Sequence, residues 1–330
     1  MFLLQEGLQK YYRKSMKRYL VTGGAGFIGG EIVRRLVALG HSVDVLDLPG
    51  KIAGAPRLSG ANYIAGDIGS AGTFRELRGF YDAVFHLAAQ TSARVSHEEP
   101  TREVDTNVRG TMLLLEWCAQ NQIERFLFAS SMQVYGNVSL ENLPMSETQA
   151  LVPVSYYGVS KIAAENCLRI HSNMGLKTTV FRMFNVYGPG QDLLNKKQGI
   201  VSIYLAFALG GKPIDVTGSL QRVRDLVYID DIVNAWLVAL DNPVSFGRTY
   251  NVGSGNRITV RQLIDRILDA LGHDKASYPV NELPGHVGDQ FGVQAGTSLI
   301  TRELGWRPCT NLEEGLGRMV AWARNSDGNR

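Results

Sequence analysis

Tyr157 and Lys161 stand four residues apart in Ser155-Tyr-Tyr-Gly-Val-Ser-Lys-Ile-Ala-Ala-Glu-Asn-Cys-Leu-Arg169, a stretch with helical spacing, and so share one helix face. A phenol, with an ordinary pKa of about 10, is a poor base at neutral pH. A neighbouring ammonium favours the phenolate and lowers that value. Such a pair can take the proton of an alcohol while a cofactor takes the hydride. A hydroxyl partner stands in Ala129-Ser-Ser-Met-Gln-Val-Tyr-Gly136, after an apolar run ending at Phe128. Ser130 or Ser131 could hydrogen-bond the reacting oxygen and stabilise charge developing there. Serines also satisfy turn backbone groups, and tyrosine–lysine pairs occur by chance on helix surfaces. The chemical reading therefore depends on a redox cofactor close by.

Tyr19-Leu-Val-Thr-Gly-Gly-Ala-Gly-Phe-Ile-Gly-Gly30 supplies its site: a strand, a glycine turn and a helix start. Gly23 makes the tight turn, Gly26 lets the backbone reach a pyrophosphate, and Gly29 lets the helix pack close. With Phe27 and Ile28 they are the first cofactor contacts expected. The second strand, His41-Ser-Val-Asp-Val-Leu-Asp47, ends in an acid that can accept both adenosine ribose hydroxyls. A 2′-phosphate would meet a like charge at Asp47, so the cofactor expected is NAD rather than NADP. The competing reading of Asp47 is a solvated aspartate opening the turn to Gly50. Asp67 and Ile68 close a third strand and are placed beside the adenine. Ala88 and Ala89, small residues at a fourth strand's carboxyl end, are placed at the ligand edge. His86, inside that apolar run, reads as a packed core histidine rather than a base.

Strand and helix alternate without long linkers to about Tyr187, which predicts an α/β fold: a Rossmann-type doubly wound parallel sheet. Residues 16–186 form the dinucleotide-binding part, rejoined by about 225–250. Residues 187–330 mostly form a smaller C-terminal α/β lobe that holds substrate at the sheet's carboxyl edge. The chain has 330 residues, 45% hydrophobic and 20% charged, with a formal charge of +3. That charge is too small and dispersed to argue for nucleic acid. No stretch has membrane-spanning length. Cys118, Cys167 and Cys309 fit no metal or disulfide spacing and read as buried thiols of a reducing, cytoplasmic compartment. Residues 1–15 read better as an upstream extension than as a basic membrane arm, since they lack a sustained apolar face.

From Met16 to about Trp306 the chain resembles the extended short-chain dehydrogenase/reductases, specifically the nucleotide-sugar epimerases and dehydratases, on the UDP-glucose 4-epimerase side. The resemblance rests on Thr22-Gly-Gly-Ala-Gly-Phe-Ile-Gly29, Ser131, Tyr157-Gly-Val-Ser-Lys161, Phe184-Asn-Val-Tyr-Gly-Pro-Gly190 and Arg224-Asp-Leu-Val-Tyr-Ile-Asp-Asp231. It implies Tyr157 as base, Ser131 as its hydrogen-bond partner, and Lys161 as phenolate stabiliser and nicotinamide-ribose ligand. It implies Asn185 and Arg224 on the diphosphate of a nucleotide-sugar substrate. It also implies a homodimer, through helices around 105–118 and 157–170. Dehydratases and decarboxylases of this family carry an acid just after the catalytic hydroxyl, where this chain has Met132 and Gln133. Elimination is therefore disfavoured. His286 stands where the family usually has an arginine on the diphosphate and, partly protonated, is expected to supply that substrate contact only in part, and Gly296 and Leu299 replace a common aspartate and lysine.

The expectation is an NAD-dependent nucleotide-sugar epimerase that removes and returns a hydride at a sugar carbon, C4, through a keto intermediate. The alternative is a 4-keto-sugar reductase or dehydrogenase with net NAD(H) turnover. A non-catalytic NAD-binding protein on this fold is disfavoured by the intact serine, tyrosine and lysine.

Overall fold

The computed structural model describes residues 16–285 and 288–327. The expectations for residues 1–15 and for His286 lie outside them. Six strands alternate with helices: β1 (Arg18–Thr22), β2 (Ser42–Asp47), β3 (Ala61–Ala65), β4 (Ala83–His86), β5 (Arg125–Ser131) and β6 (Lys177–Met183). Short strands follow: β7 (Asn185–Tyr187), β8 (Ile214–Thr217), β9 (Val223–Arg224) and β10 (Leu226–Tyr228). The chain then makes β11 (Arg248–Val252), β12 (Ile258–Thr259) and β13 (Val280–Leu283). Seven strands form one parallel sheet in the order β11-β6-β5-β4-β1-β2-β3. The order reverses at β1, which lies between β2 and β4, and this opens a crevice at the carboxyl ends where ligands bind. The doubly wound sheet expected from the alternation is the fold observed.

β4 and β5 are buried along their whole length, so Ala83-Val-Phe85 and Phe126-Leu-Phe-Ala129 within them are apolar at successive rather than alternate positions. On one sheet face, Leu114, Trp117 and Leu168 cover Phe126 and Phe128. On the other, Trp236 of the helix Ile229–Leu240 lies between Phe85 and Phe181, with ring centroids at 6.0 and 4.6 Å. That cluster continues without a break to Leu263 of the helix Val260–Leu271 and to Met319 of the helix Leu312–Asp327. The later part of the chain thus shares the sheet's core instead of building a separate one.

Three small two-stranded sheets, β10-β7, β12-β9 and β13-β8, lie after β6. Buried polar groups tie this region down. Asp225 accepts from the Ser254 and Gly255 N–H groups, the Ser254 hydroxyl and the Ala295 N–H at 2.7–3.0 Å. Burial nonetheless raises its pKa to about 6. Asp231 accepts from the Cys309 and Thr310 N–H groups, each at 3.0 Å. Cysteine burial departs from expectation. Cys118 is buried, but Cys167 is half-buried and Cys309 is exposed, because the backbone rather than the side chain anchors residue 309. Among the described residues no helix is long and apolar enough to cross a membrane.

Candidate active site

After Thr22 the chain turns through Gly23, at a φ of +72°. A Cβ on Gly23 would stand 2.6 Å from the Ala88 nitrogen, so the loop after β4, with Ala88 and Ala89, rests directly on the turn. Gly29 is tighter still, because its Cβ would lie 2.2 Å from the Gly23 carbonyl oxygen. The helix Phe27–Ala38 therefore starts backbone to backbone against the strand end. It has no side-chain cap and no acid in its first turn, which leaves its leading N–H groups for an anion. Asp47, at the end of β2, accepts from the Ala25 N–H at 3.0 Å and the Leu48 N–H at 2.8 Å. Burial raises its pKa against those bonds. Its carboxylate thus anchors the glycine turn and also opens the turn after β2. Asp67 is exposed and accepts from the Gly69 N–H at 2.8 Å, while Ile68 is buried against Gly110. A backbone cradle that side chains at 23 or 29 would fill, an uncapped helix and a carboxylate on the adjacent strand fit NAD.

At the carboxyl end of β5, Ser131 begins a single helical turn, Met132–Tyr135, and its Oγ accepts from the Gln133 N–H at 3.2 Å. The helix Tyr156–Asn173 is capped by Ser155, whose Oγ accepts from the Gly158 N–H at 3.1 Å. This cap aims Tyr157 and Lys161 inward, where both are buried. Ser131 neighbours the Tyr157 side chain and favours its phenolate, and the Lys161 Nζ lies 5.7 Å from the Tyr157 ring centroid. The Lys161 Nζ donates to the Ala129 carbonyl at 2.8 Å, and burial lowers its pKa to about 8. The structure brings these three side chains together.

Two expectations need correction. Burial raises the Tyr157 pKa, with Ser131 lowering it only in part and Glu103 raising it further, so Lys161 alone does not bring the phenol down. Ser130 does not join Ser131. Alternation along β5 turns its hydroxyl to Glu165, which also pairs with Arg182 at 2.7 Å in a buried bridge.

Sequence reasoning missed a network behind this cluster. Glu103 is buried just before a π-helical turn, Asp105–Arg109, and Asn107 is buried within it. The Asn107 side-chain nitrogen donates to Glu103, to Ser160 Oγ at 3.1 Å and to the Gln90 carbonyl at 2.9 Å. The Gln90 N–H donates to Asn107 Oδ1 at 2.8 Å, and the Ser160 hydroxyl donates to Glu103 at 2.6 Å. The loop after β4 is thereby fixed to the Tyr157 helix. His86 sits in the core with its ring nitrogens 2.7 Å from Thr22 Oγ1 and 2.9 Å from Thr111 Oγ1. Burial, with Lys161 adding to it, lowers its pKa to about 3.

Of the residues expected on the substrate's diphosphate, Asn185 donates from Nδ2 to the Asp225 carbonyl at 2.9 Å, next to Arg224. Arg224 is buried and pairs with Asp289 at 2.9 Å, and burial lowers its pKa to about 10. The segment bearing Asp289 crosses to the catalytic side. A Cβ on Gly288 would lie 3.4 Å from the Cβ of Ser155, and Gln290 donates to the Gly136 carbonyl. Gly296 donates to the Met145 carbonyl at 2.7 Å, and a Cβ there would stand 2.6 Å from that oxygen. Position 296 therefore has no room for a side chain. Leu299 packs against the core.

A family model for the NAD dependent epimerase/dehydratase family matches residues 19–253. The UDP-glucose 4-epimerase of Mycolicibacterium smegmatis is 32% identical over 317 residues, 93% of this chain and 99% of that protein. The dTDP-glucose 4,6-dehydratase of Salmonella typhimurium is 30% identical over 340 residues, 92% of this chain and 92% of that protein. Among solved structures, UDP-glucose 4-epimerase from Thermotoga maritima with UDP-glucose is similar at a TM-score of 0.87 and 34% identity, covering 94% of this chain and 99% of that one. With the parallel sheet, the glycine cradle and the buried serine, tyrosine and lysine, these matches establish that the chain belongs to the NAD dependent epimerase/dehydratase family and is an enzyme whose cofactor is NAD.

Proposed function

We propose that this protein is a nucleotide-sugar epimerase acting at C4 of the sugar, with Ser131, Tyr157 and Lys161 as its catalytic residues. One observation carries the reading: the three side chains converge beside the glycine cradle, and no acid stands next to Ser131. Tyr157 takes the proton of the sugar hydroxyl, and Ser131 hydrogen-bonds the same oxygen while it becomes a ketone. Bound NAD supplies the hydride acceptor and donor and, when oxidised, a positive ring charge that favours a nearby phenolate. Lys161, with one hydrogen bond to Ala129, keeps its other N–H donors for the nicotinamide ribose. The keto sugar turns in the cleft and presents its other face, and Tyr157 returns the proton to the oxygen. Asn185 and Arg224 hold the nucleotide's diphosphate. Phe27, Ile28, Asp47, Asp67, Ile68, Ala88 and Ala89 contact the cofactor around Gly23, Gly26 and Gly29.

Met132 speaks against the dehydratase chemistry of some relatives. It is buried with Val134, Tyr135 and Met145 and has no proton to give. Gln133 is likewise no base. A 4-keto-sugar reductase would use the same catalytic residues, and cofactor stoichiometry separates the two. Catalytic amounts of protein incubated with nucleotide sugars should give the C4 epimer with no NADH accumulating. NADH change in proportion to product would replace the epimerase with the reductase or dehydrogenase. We further propose a homodimer working in the cytoplasm, which sedimentation of the purified protein and cell fractionation would check.

A further inference from the structure

We infer that Arg222 is a second ligand of the substrate's diphosphate, working with Arg224 and supplying the charge that the resemblance would place on an arginine at position 286. This rests on the nucleotide-sugar reading above. Arg222, just before β9, and Arg224, at its end, flank Val223, and both side chains reach the same carboxylate. Their side chains are 8% and 7% exposed, and both end on one carboxylate, that of Asp289. Every other contact they make is neutral. The Arg222 Nε donates to the Ser219 carbonyl at 3.0 Å, and the neutral Tyr204 phenol neighbours its side chain. The Arg224 Nη1 donates to the carbonyls of Val223 at 2.9 Å and Phe291 at 3.3 Å. Two buried cations and one carboxylate leave a net positive charge, and no second acid lies within ion-pair distance of either guanidinium among the described residues.

Buried charge without a counter-charge is costly, and an anion reaching this pair would remove the cost. The wall beside it is bare backbone. Gly218, at a φ of +83°, has no Cβ, and one placed there would stand 3.0 Å from the Arg222 guanidinium carbon and from the Asp289 carboxylate. Gly288, next to Asp289, packs against Ser155 at the head of the helix that carries Tyr157. The segment that carries the shared carboxylate of Asp289 thus joins the arginine pair to the helix of the proposed catalytic tyrosine. Two guanidinium forks match the two charged phosphates of a nucleoside diphosphate.

The test is calorimetric titration of NAD-saturated protein with UDP, dTDP, GDP and ADP, each compared with its parent nucleoside. Wild type should bind at least one diphosphate far more tightly than the nucleoside. Arg222→Gln should weaken that diphosphate roughly ten- to a hundredfold and move nucleoside and NAD affinity less than about threefold, as expected for loss of a charge-assisted contact. Arg222→Lys, which keeps the charge but not the fork, should fall between, and it carries the test if the glutamine variant does not fold. Diphosphate affinity unchanged in the folded variant, or falling in step with nucleoside affinity, would overturn the role of Arg222 and leave the epimerase standing. Wild-type protein that binds no diphosphate would overturn both.

Discussion

Tyr157 stands under opposing influences: burial and Glu103 hold its proton on, while Ser131 favours its release. Tyr157→Phe removes only the hydroxyl, so kcat should fall roughly a hundred- to ten-thousandfold while NAD affinity stays, as for loss of a general acid–base group. Turnover close to wild type would show that another group moves the proton. Glu103 makes a pH prediction with a definite sign. Its negative charge disfavours the phenolate and favours the Lys161 ammonium, raising both pKa values. Glu103→Gln should therefore shift the acid limb of the kcat profile to lower pH. An unmoved limb would assign that limb to a different group. Ser131, Tyr157 and Lys161 were legible because helical spacing and a strand end place them with few alternatives. Glu103 and Asn107 were not. They sit four apart in an ordinary helical pattern, and their partners Ser160 and Gln90 lie on other elements that only the fold brings near.

The glycine turn works by contact between elements. At Gly29, even one methyl group would meet the Gly23 carbonyl, so Gly29→Ala must push the helix Phe27–Ala38 away from β1. That movement displaces the helix N-terminus from the pyrophosphate, and NAD affinity should drop by about tenfold or more, equivalent to about 1.4 kcal/mol. Wild-type affinity in a cofactor titration would show that the turn tolerates the shift. The strands of the sheet were readable as apolar runs bounded by turns. The roles of Ser130 and Arg224 were less so, because a buried polar side chain declares its partner only in three dimensions. Ser130 faces Glu165 through strand alternation, and Arg224 meets Asp289 across 65 residues of chain. The division after Tyr187 was read from broken alternation, yet the packing there, built on short strands and on carboxylates such as Asp225 and Asp231, follows no simple period.

One core runs through the whole molecule, from the sheet to the helix Leu312–Asp327, with Trp236 at its centre. Trp236→Ala should cost about 3–5 kcal/mol in urea unfolding, and the loss should be seen throughout the protein rather than in the later region alone. Two separate unfolding transitions would contradict a shared core. This continuity was hidden in the sequence, where the later chain looks like a lobe with its own helices. It would also hold Arg222 and Arg224, the diphosphate ligands proposed above, at a fixed distance from Tyr157. In the epimerase proposed above, hydride leaves and returns to the same sugar carbon without leaving the site. This is tested most directly with a panel of UDP- and dTDP-hexoses deuterated at C4, incubated with catalytic amounts of protein and NAD. At least one should be converted to its C4 epimer with deuterium retained at C4 and no net NADH. Deuterium lost from C4, or NADH formed in step with product, would contradict it.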